Sequence, residues 1–278
     1  MPELPEVETT VRGLTPVLQG RRITDVVLNR ADLRRPMPGD LAERLVGARV
    51  TGLGRRAKFG LIATDRGDTL VFHLGMSGRW RIDPGEADKH DHVVLRTDQG
   101  VCLALNDPRR FGSLDLMRTN ALAEFPSFRG LGPEPFGADL TPDRLAAALA
   151  GRRAPMKAML LDQRVIAGLG NIYVCEALFR SGIAPDAAAG SVPAAALGRL
   201  VPAIRAVLEE AIADGGSTLR DYAQPDGSLG YFATRFRVYG REGAPCGNCG
   251  DTVARQVHSG RSTFFCPTCQ SPGSGAVD

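Results

Sequence analysis

The sequence predicts an α+β protein: a β-rich first half, a helical second half and a small metal-binding hairpin at the end. Three observations carry this reading. Strand-like runs of period two dominate up to about residue 105, whereas beyond a Pro- and Gly-rich stretch over 125–139 the apolar period becomes helical. Four of the six cysteines then form two Cys-x-x-Cys pairs near the end of the chain, Cys246/Cys249 and Cys266/Cys269.

The elements follow in order. Between Pro5 and Gly20, the residues Val7, Val11, Leu14 and Leu18 recur at helical spacing, with a proline in the first turn and a glycine as the stop. Strand patterns cover 22–28, 49–54, 58–64, 69–74, 79–82, 92–97 and 101–105, and Asp98-Gln99-Gly100 joins the last two as a hairpin turn. Together they predict a two-layer antiparallel β-sandwich carrying the leading helix. Helices are expected from Thr141-Pro142, over 155–163, over 172–181 and over 193–214. The last has Leu197, Leu200, Val201, Ile204, Val207, Leu208 and Ile212 on one face, and Pro202 inside it predicts a kink or an early break. A polar, turn-rich loop over 224–230, short strands around the cysteines and a flexible tail over 271–278 complete the chain.

At 278 residues the chain is long enough for two domains with cores, and 43% hydrophobic with 23% charged residues excludes a disordered or fibrous protein. The 34 Lys and Arg against 31 Asp and Glu leave a net charge of only +3, so a surface for a polyanion must arise by local clustering. No uninterrupted apolar run is long enough to span a bilayer, and no basic start leads into an apolar stretch. That predicts a soluble, intracellular protein with no membrane partner.

Chemistry is concentrated in a few places. The two cysteine pairs, 16 residues apart, can fill all four positions of a tetrahedral zinc site; such a closed site is structural. Arg255, His258 and Arg261 with Phe264 and Phe265 make the segment between the pairs a basic hairpin on an apolar base, suited to nucleic acid. The lone Cys102 and Cys175 read as core residues. At the other end, Pro2 next to Glu3 offers a secondary amine beside a carboxylate if Met1 is removed. The α-amino pKa of about 7.7–8.0 leaves much of such an amine nucleophilic near neutral pH; as an isolated feature, the same stretch is an ordinary helix start. Leu74-Gly75-Met76-Ser77-Gly78 and Asp107-Pro108-Arg109-Arg110-Phe111-Gly112 each place a bulky residue in a glycine-bounded turn. Such residues act as wedges in DNA-kinking proteins, and each turn alone also suits a plain hairpin. Gly168-Leu169-Gly170-Asn171 lacks the strand and third glycine of a dinucleotide loop but suits a phosphate at a helix start. His90-Asp91-His92 reads as a strand entrance with one imidazole available.

With Pro2-Glu3, His-Leu-Gly-Met-Ser-Gly, Asp-Pro-Arg-Arg-Phe-Gly, Gly-Asn-Ile-Tyr and the cysteine pairs in this order, the chain closely resembles the bacterial formamidopyrimidine-DNA glycosylases, relatives of endonuclease VIII, from Met1 to about Gln270. The resemblance implies a catalytic β-sandwich over 1–133, a helix-two-turn-helix DNA-binding domain with a lesion-recognition loop over 134–234, a zinc finger over 235–270, and DNA bound across the cleft between the halves. It implies removal of oxidised purines, 8-oxoguanine and formamidopyrimidines, and strand nicking by β,δ-elimination. The substrate would be double-stranded DNA with such lesions or abasic sites, and the enzyme a cytoplasmic, nucleoid-associated monomer with one structural zinc and no organic cofactor.

Residue by residue, Pro2 matches the Schiff-base nucleophile, Glu3 the neighbouring acid/base, Lys58 the catalytic lysine, and Arg261 the arginine of the later elimination. Met76, Arg109 and Phe111 match the triad that fills the gap left by the flipped nucleotide, with Arg109 facing the orphaned cytosine. His90, Arg152, Lys157, Asn171 and Tyr239 fall at or beside phosphate contacts. Glu6, Ser217 and the loop to Tyr231 match the lesion pocket. The competing readings are an endonuclease VIII-like enzyme for oxidised pyrimidines, disfavoured by Leu4 and the Arg109-Arg110-Phe111 run, and a zinc protein that binds damaged DNA without chemistry.

Overall fold

The computed structural model describes residues 2–219, 222–258 and 260–271. Met1 and all of the expected tail but Ser271 lie outside them. The chain forms two compact units, one of residues 1–129 and 211–233, the other of 130–210 and 234–278. Residues 211–233, grouped by sequence with the helical part, thus cluster with the first unit.

The first unit opens with helix α1 (Leu4–Leu18). A reciprocal capping box holds its start: the Glu3 side chain accepts from the Glu6 N–H, and the Glu6 carboxylate from the Glu3 N–H. Strand β1 (Ile23–Leu28) and the short helix α2 (Leu41–Leu45) come next. Then follow β2 (Val50–Arg56), β3 (Phe59–Thr64), β4 (Asp68–His73), β5 (Arg79–Ile82), β6 (Asp91–Thr97), β7 (Cys102–Asn106) and β8 (Ser113–Arg118). They make two four-stranded antiparallel sheets, in the orders β1-β6-β7-β5 and β2-β3-β4-β8. The α1 face of Val7, Val11, Leu14 and Leu18 shares one core with Leu70, Phe72, Trp80, Leu95 and Leu103. Packing is close enough that a Cβ on Gly60 would lie 2.0 Å from the Phe72 ring. Strand β8 was not foreseen, although its buried Leu114 and Leu116 alternate as a strand should. Cys102, expected in the core, is only half-buried, because it starts β7 beside the 98–100 turn.

The second unit contains α3 (Pro142–Leu149), α4 (Met156–Leu161), α5 (Asn171–Ser181) and most of α6 (Ala194–Ala213). Thr141 caps α3 by accepting from Arg144 N–H. Helix α6 runs unbroken through Pro202, so the early break does not occur. The carbonyl that a proline ring crowds four residues back belongs to Gly198, whose backbone yields most readily, and buried Leu197, Leu200, Val201 and Ile204 hold both sides. Strands β9 (Ala254–His258) and β10 (Arg261–Phe265) form the C-terminal hairpin. Its base joins α5 in a cluster of Cys175, Phe179, Val238, Cys246, Val253 and Cys266. Among the described residues no helix is long and apolar enough to cross a membrane.

Candidate active site and nucleic-acid contacts

Pro2 and Glu3 are both buried at the N-terminus of α1. Glu6, 2% exposed, divides its carboxylate: Oε2 accepts from Glu3 N–H at 2.8 Å and Oε1 from Ser217 N–H at 2.9 Å. The Tyr222 hydroxyl donates to the Glu6 carbonyl at 3.3 Å. Burial, then the nearby Glu6 carboxylate, pushes the Tyr222 phenol above its ordinary value, so it stays a donor. The start of the helix and the start of the loop over 217–231 are therefore one bonded assembly. Arg220 and Asp221 of that loop lie outside the described residues.

Lys58 sits in the two-residue turn between β2 and β3, where Arg56 pairs with Phe59. Its neighbour Ala57 takes φ 52°, and Arg55 braces the turn by donating to the Ala57 carbonyl at 2.8 Å and to Glu8 Oε2 at 3.1 Å. A non-glycine residue in that region costs about 1–2 kcal/mol, and the brace holds it. Cross-strand register puts Phe59, His73 and Ser113 in one row, lining a cavity of about 340 Å³ with Arg34, Arg35, Phe111 and Ser127. Burial first, then Lys58, Arg34 and Arg35, lowers His73 to about 4. It is neutral, and Nδ1 accepts from Gly75 N–H at 3.0 Å, leaving Nε2–H as the other donor. Sequence reasoning passed over His73, although it heads the His-Leu-Gly-Met-Ser-Gly run.

Met76 is half-buried and Arg109 exposed; Phe111 is 43% exposed, with the Arg109 guanidinium 4.8 Å above its ring. Of the two histidines at the start of β6, His92, within the strand, is buried and bonded to the Asp107 carbonyl, while His90, just before it, is half-buried with its ring 6.2 Å from that of His92.

In the second unit Arg152 and Arg261 are exposed. Lys157, expected at a phosphate, is instead 1% exposed: its ammonium donates to Ser262 O at 2.9 Å and Thr263 Oγ1 at 2.7 Å. Ser262 and Thr263 are the second and third residues of β10, so Lys157 ties the hairpin to α4. Asn171, the first residue of α5, likewise donates to Ser262 O at 2.9 Å. Tyr239 stacks edge-on against Phe264, with ring centroids 5.0 Å apart. Its segment is fixed by Glu176, a fully buried carboxylate that accepts from the N–H groups of Arg237, Val238 and Tyr239 at 2.9–3.1 Å. Sequence reasoning did not single out Glu176; a carboxylate on the apolar side of a helix was the available signal.

The four cysteine Sγ atoms lie within 4.8 Å of one another, with Cys246–Cys269 at 3.9 Å and Cys249–Cys266 at 3.5 Å. A tetrahedral zinc with Zn–S near 2.3 Å requires an S–S edge of about 3.8 Å. The cysteines fit one structural zinc, which leaves no position open for substrate.

Three family models match the chain: the formamidopyrimidine-DNA glycosylase N-terminal domain over 1–114, the formamidopyrimidine-DNA glycosylase H2TH domain over 131–223, and a zinc finger found in FPG and IleRS over 243–272. A formamidopyrimidine-DNA glycosylase of Rhizorhabdus wittichii is 67% identical over 97% of this chain and 100% of its own. Among solved structures, the MutM (Fpg) protein of Thermus thermophilus matches with a TM-score of 0.88 at 44% identity, over 98% of this chain and 100% of that one. The Lactococcus lactis Fpg in complex with DNA containing an abasic site matches with a TM-score of 0.90 at 31% identity, over 97% and 100%.

Proposed function

Since the chain belongs to the formamidopyrimidine-DNA glycosylase family, we infer that it excises oxidised purines from duplex DNA and nicks the strand at the resulting abasic site. The observation that carries this reading is the pairing of Pro2 with Glu3 at a helix start that is bonded, through Glu6, to the lesion loop.

The Pro2 nitrogen attacks C1′ of the damaged nucleotide; the N–C1′ bond forms as the glycosidic bond breaks, and the base leaves with a proton. Glu3 protonates the ring oxygen O4′ as the sugar opens, and the nitrogen lone pair completes the iminium. The iminium makes the C2′ protons acidic, so loss of one expels the 3′ phosphate, and a second elimination expels the 5′ phosphate. Lys58 stands near the lesion and its phosphate, and Arg261 serves the later elimination. Met76, Arg109 and Phe111 fill the vacated stack, which offsets part of the few kcal/mol that extrusion costs. His90, Arg152, Asn171 and Tyr239 contact the backbone, while Lys157 acts by holding the hairpin. Zinc keeps that hairpin folded. The enzyme works as a monomer on chromosomal DNA in the cytoplasm.

Borohydride trapping tests this on a duplex with 8-oxoguanine opposite cytosine, beside a dihydrouracil duplex and a Pro2→Gly control. The expected result is a covalent adduct on 8-oxoguanine, weaker on dihydrouracil and much reduced in the control. Adduct on dihydrouracil alone would move the assignment to pyrimidine repair. No adduct from protein shown by mass to lack Met1 would leave a DNA-binding protein without this chemistry.

A further inference from the structure

The turns that carry Met76, Arg109 and Phe111 are bonded to each other as well as to their strands. Strands β4 and β8 are neighbours in one sheet, β5 and β7 in the other, so the β4–β5 and β7–β8 connections cross between sheets side by side. The β7–β8 connection opens with Asp107, 1% exposed, whose side chain reaches the other connection. Its Oδ1 accepts from the Ser77 hydroxyl at 2.7 Å and its Oδ2 from Gly112 N–H at 2.8 Å. Ser77 Oγ in turn accepts from Arg109 N–H at 3.2 Å. On the far side His92 Nε2 meets the Asp107 carbonyl at 2.9 Å; a carbonyl oxygen only accepts, so Nε2 carries the proton. The two backbones also touch: a Cβ on Gly75, at φ +62°, would lie 2.3 Å from the Phe111 carbonyl carbon. Arg110, between the two wedge residues of the second turn, has φ 55°, a strained value for a side-chain-bearing residue. The turn keeps it because residues 107 and 112 are tied at the carboxylate.

We propose that Ser77 and Asp107 are positioning residues that lock Met76, Arg109 and Phe111 into one preformed wedge, a role that rests on the glycosylase reading above. With the turns already fixed, refilling the stack needs no ordering of loops at the moment of insertion. The Arg109 backbone is set by the Ser77 hydroxyl, so the same bond aims its guanidinium at the base opposite the lesion. Neither residue touches the reacting atoms.

The test compares wild type with Ser77→Ala and with Asp107→Asn, which keeps an acceptor for Ser77 but places an amide against Gly112. Borohydride trapping on an abasic site in a single strand has no stack to refill and no opposite base, so it reports the amine chemistry and the fold alone. Excision of 8-oxoguanine opposite cytosine and opposite adenine reports the wedge. The expected result for both variants is single-strand trapping at the wild-type rate, excision opposite cytosine reduced roughly tenfold, the size of one lost hydrogen bond to a carboxylate, and a reduced cytosine-to-adenine ratio. An unchanged ratio with unchanged excision would overturn the proposal. So would a parallel fall on single strand and duplex, which marks a merely structural role. Wild type that traps on neither strand form would overturn the glycosylase reading, and the wedge assignment with it.

Discussion

His73 shows how strongly a neighbourhood can set a residue's state. Its ordinary value is near 6.5, yet burial and the cations Lys58, Arg34 and Arg35 hold it at about 4. On lowering the pH, the unfolded chain therefore binds this proton before the folded one does. The stability His73 contributes is full above about pH 6.5 and is lost as the pH falls toward 4. Urea unfolding at pH 7.5 and pH 5 should show the wild type losing up to about 2 kcal/mol more than His73→Asn, which keeps an acceptor for Gly75 but cannot titrate. Equal losses would mean that the imidazole is not held neutral. The sequence could not show this, because Lys58, in the β2–β3 turn, and Arg34 and Arg35, in the loop after β1, meet His73 only once the chain has folded. The zinc cysteines are the opposite case: their chemistry is fixed by local spacing, and Cys246, Cys249, Cys266 and Cys269 converge as expected. Lys157 lies between these extremes, since a lysine on a short helix reads as an exposed cation until a hairpin 105 residues later supplies Ser262 O as its partner.

At the level of elements, period-two patterning located seven of the strands to within a few residues, and the leading helix followed from four apolar positions. The expected strands stop short of β8, which directly follows the Asp107–Gly112 turn and alternates only through Leu114 and Leu116. Pro202 failed as a breaker because propensity is a weak prior beside a fully buried helical face. The β9–β10 hairpin has the least support of its own, with two strands of five residues each; an isolated hairpin of that size is marginal in water. Metal binding worth about 10–16 kcal/mol in zinc-finger peptides exceeds anything the hairpin can supply. Stripping the protein with a strong chelator should abolish amide-exchange protection over 254–265 and release one zinc per chain, while protection of β3 and β4 persists. Protection that survives metal release would mean that Lys157 and the α5 contacts suffice.

On the scale of the molecule, the chain passes between its two units three times, after residues 129, 210 and 233. The first unit is thus discontinuous, and its second piece supplies Ser217 and Tyr222 to Glu6. Residues 1–129 expressed alone should melt at lower temperature than the same residues joined by a short linker to 211–233. The difference in unfolding free energy should be about 1.5–3 kcal/mol, the net worth of a hydrogen bond to a charged group. Equal stability would show that the loop is an accessory to Glu6 rather than part of its fold. The same discontinuity gives synthesis a timetable. Ser217 is made 211 residues after Glu6, which at about 5–20 residues per second is a delay of roughly 10–40 s on the ribosome. For that interval the nascent chain carries its leading helix without the loop bonded to it, so Glu6 is among the first residues made and among the last to be finished.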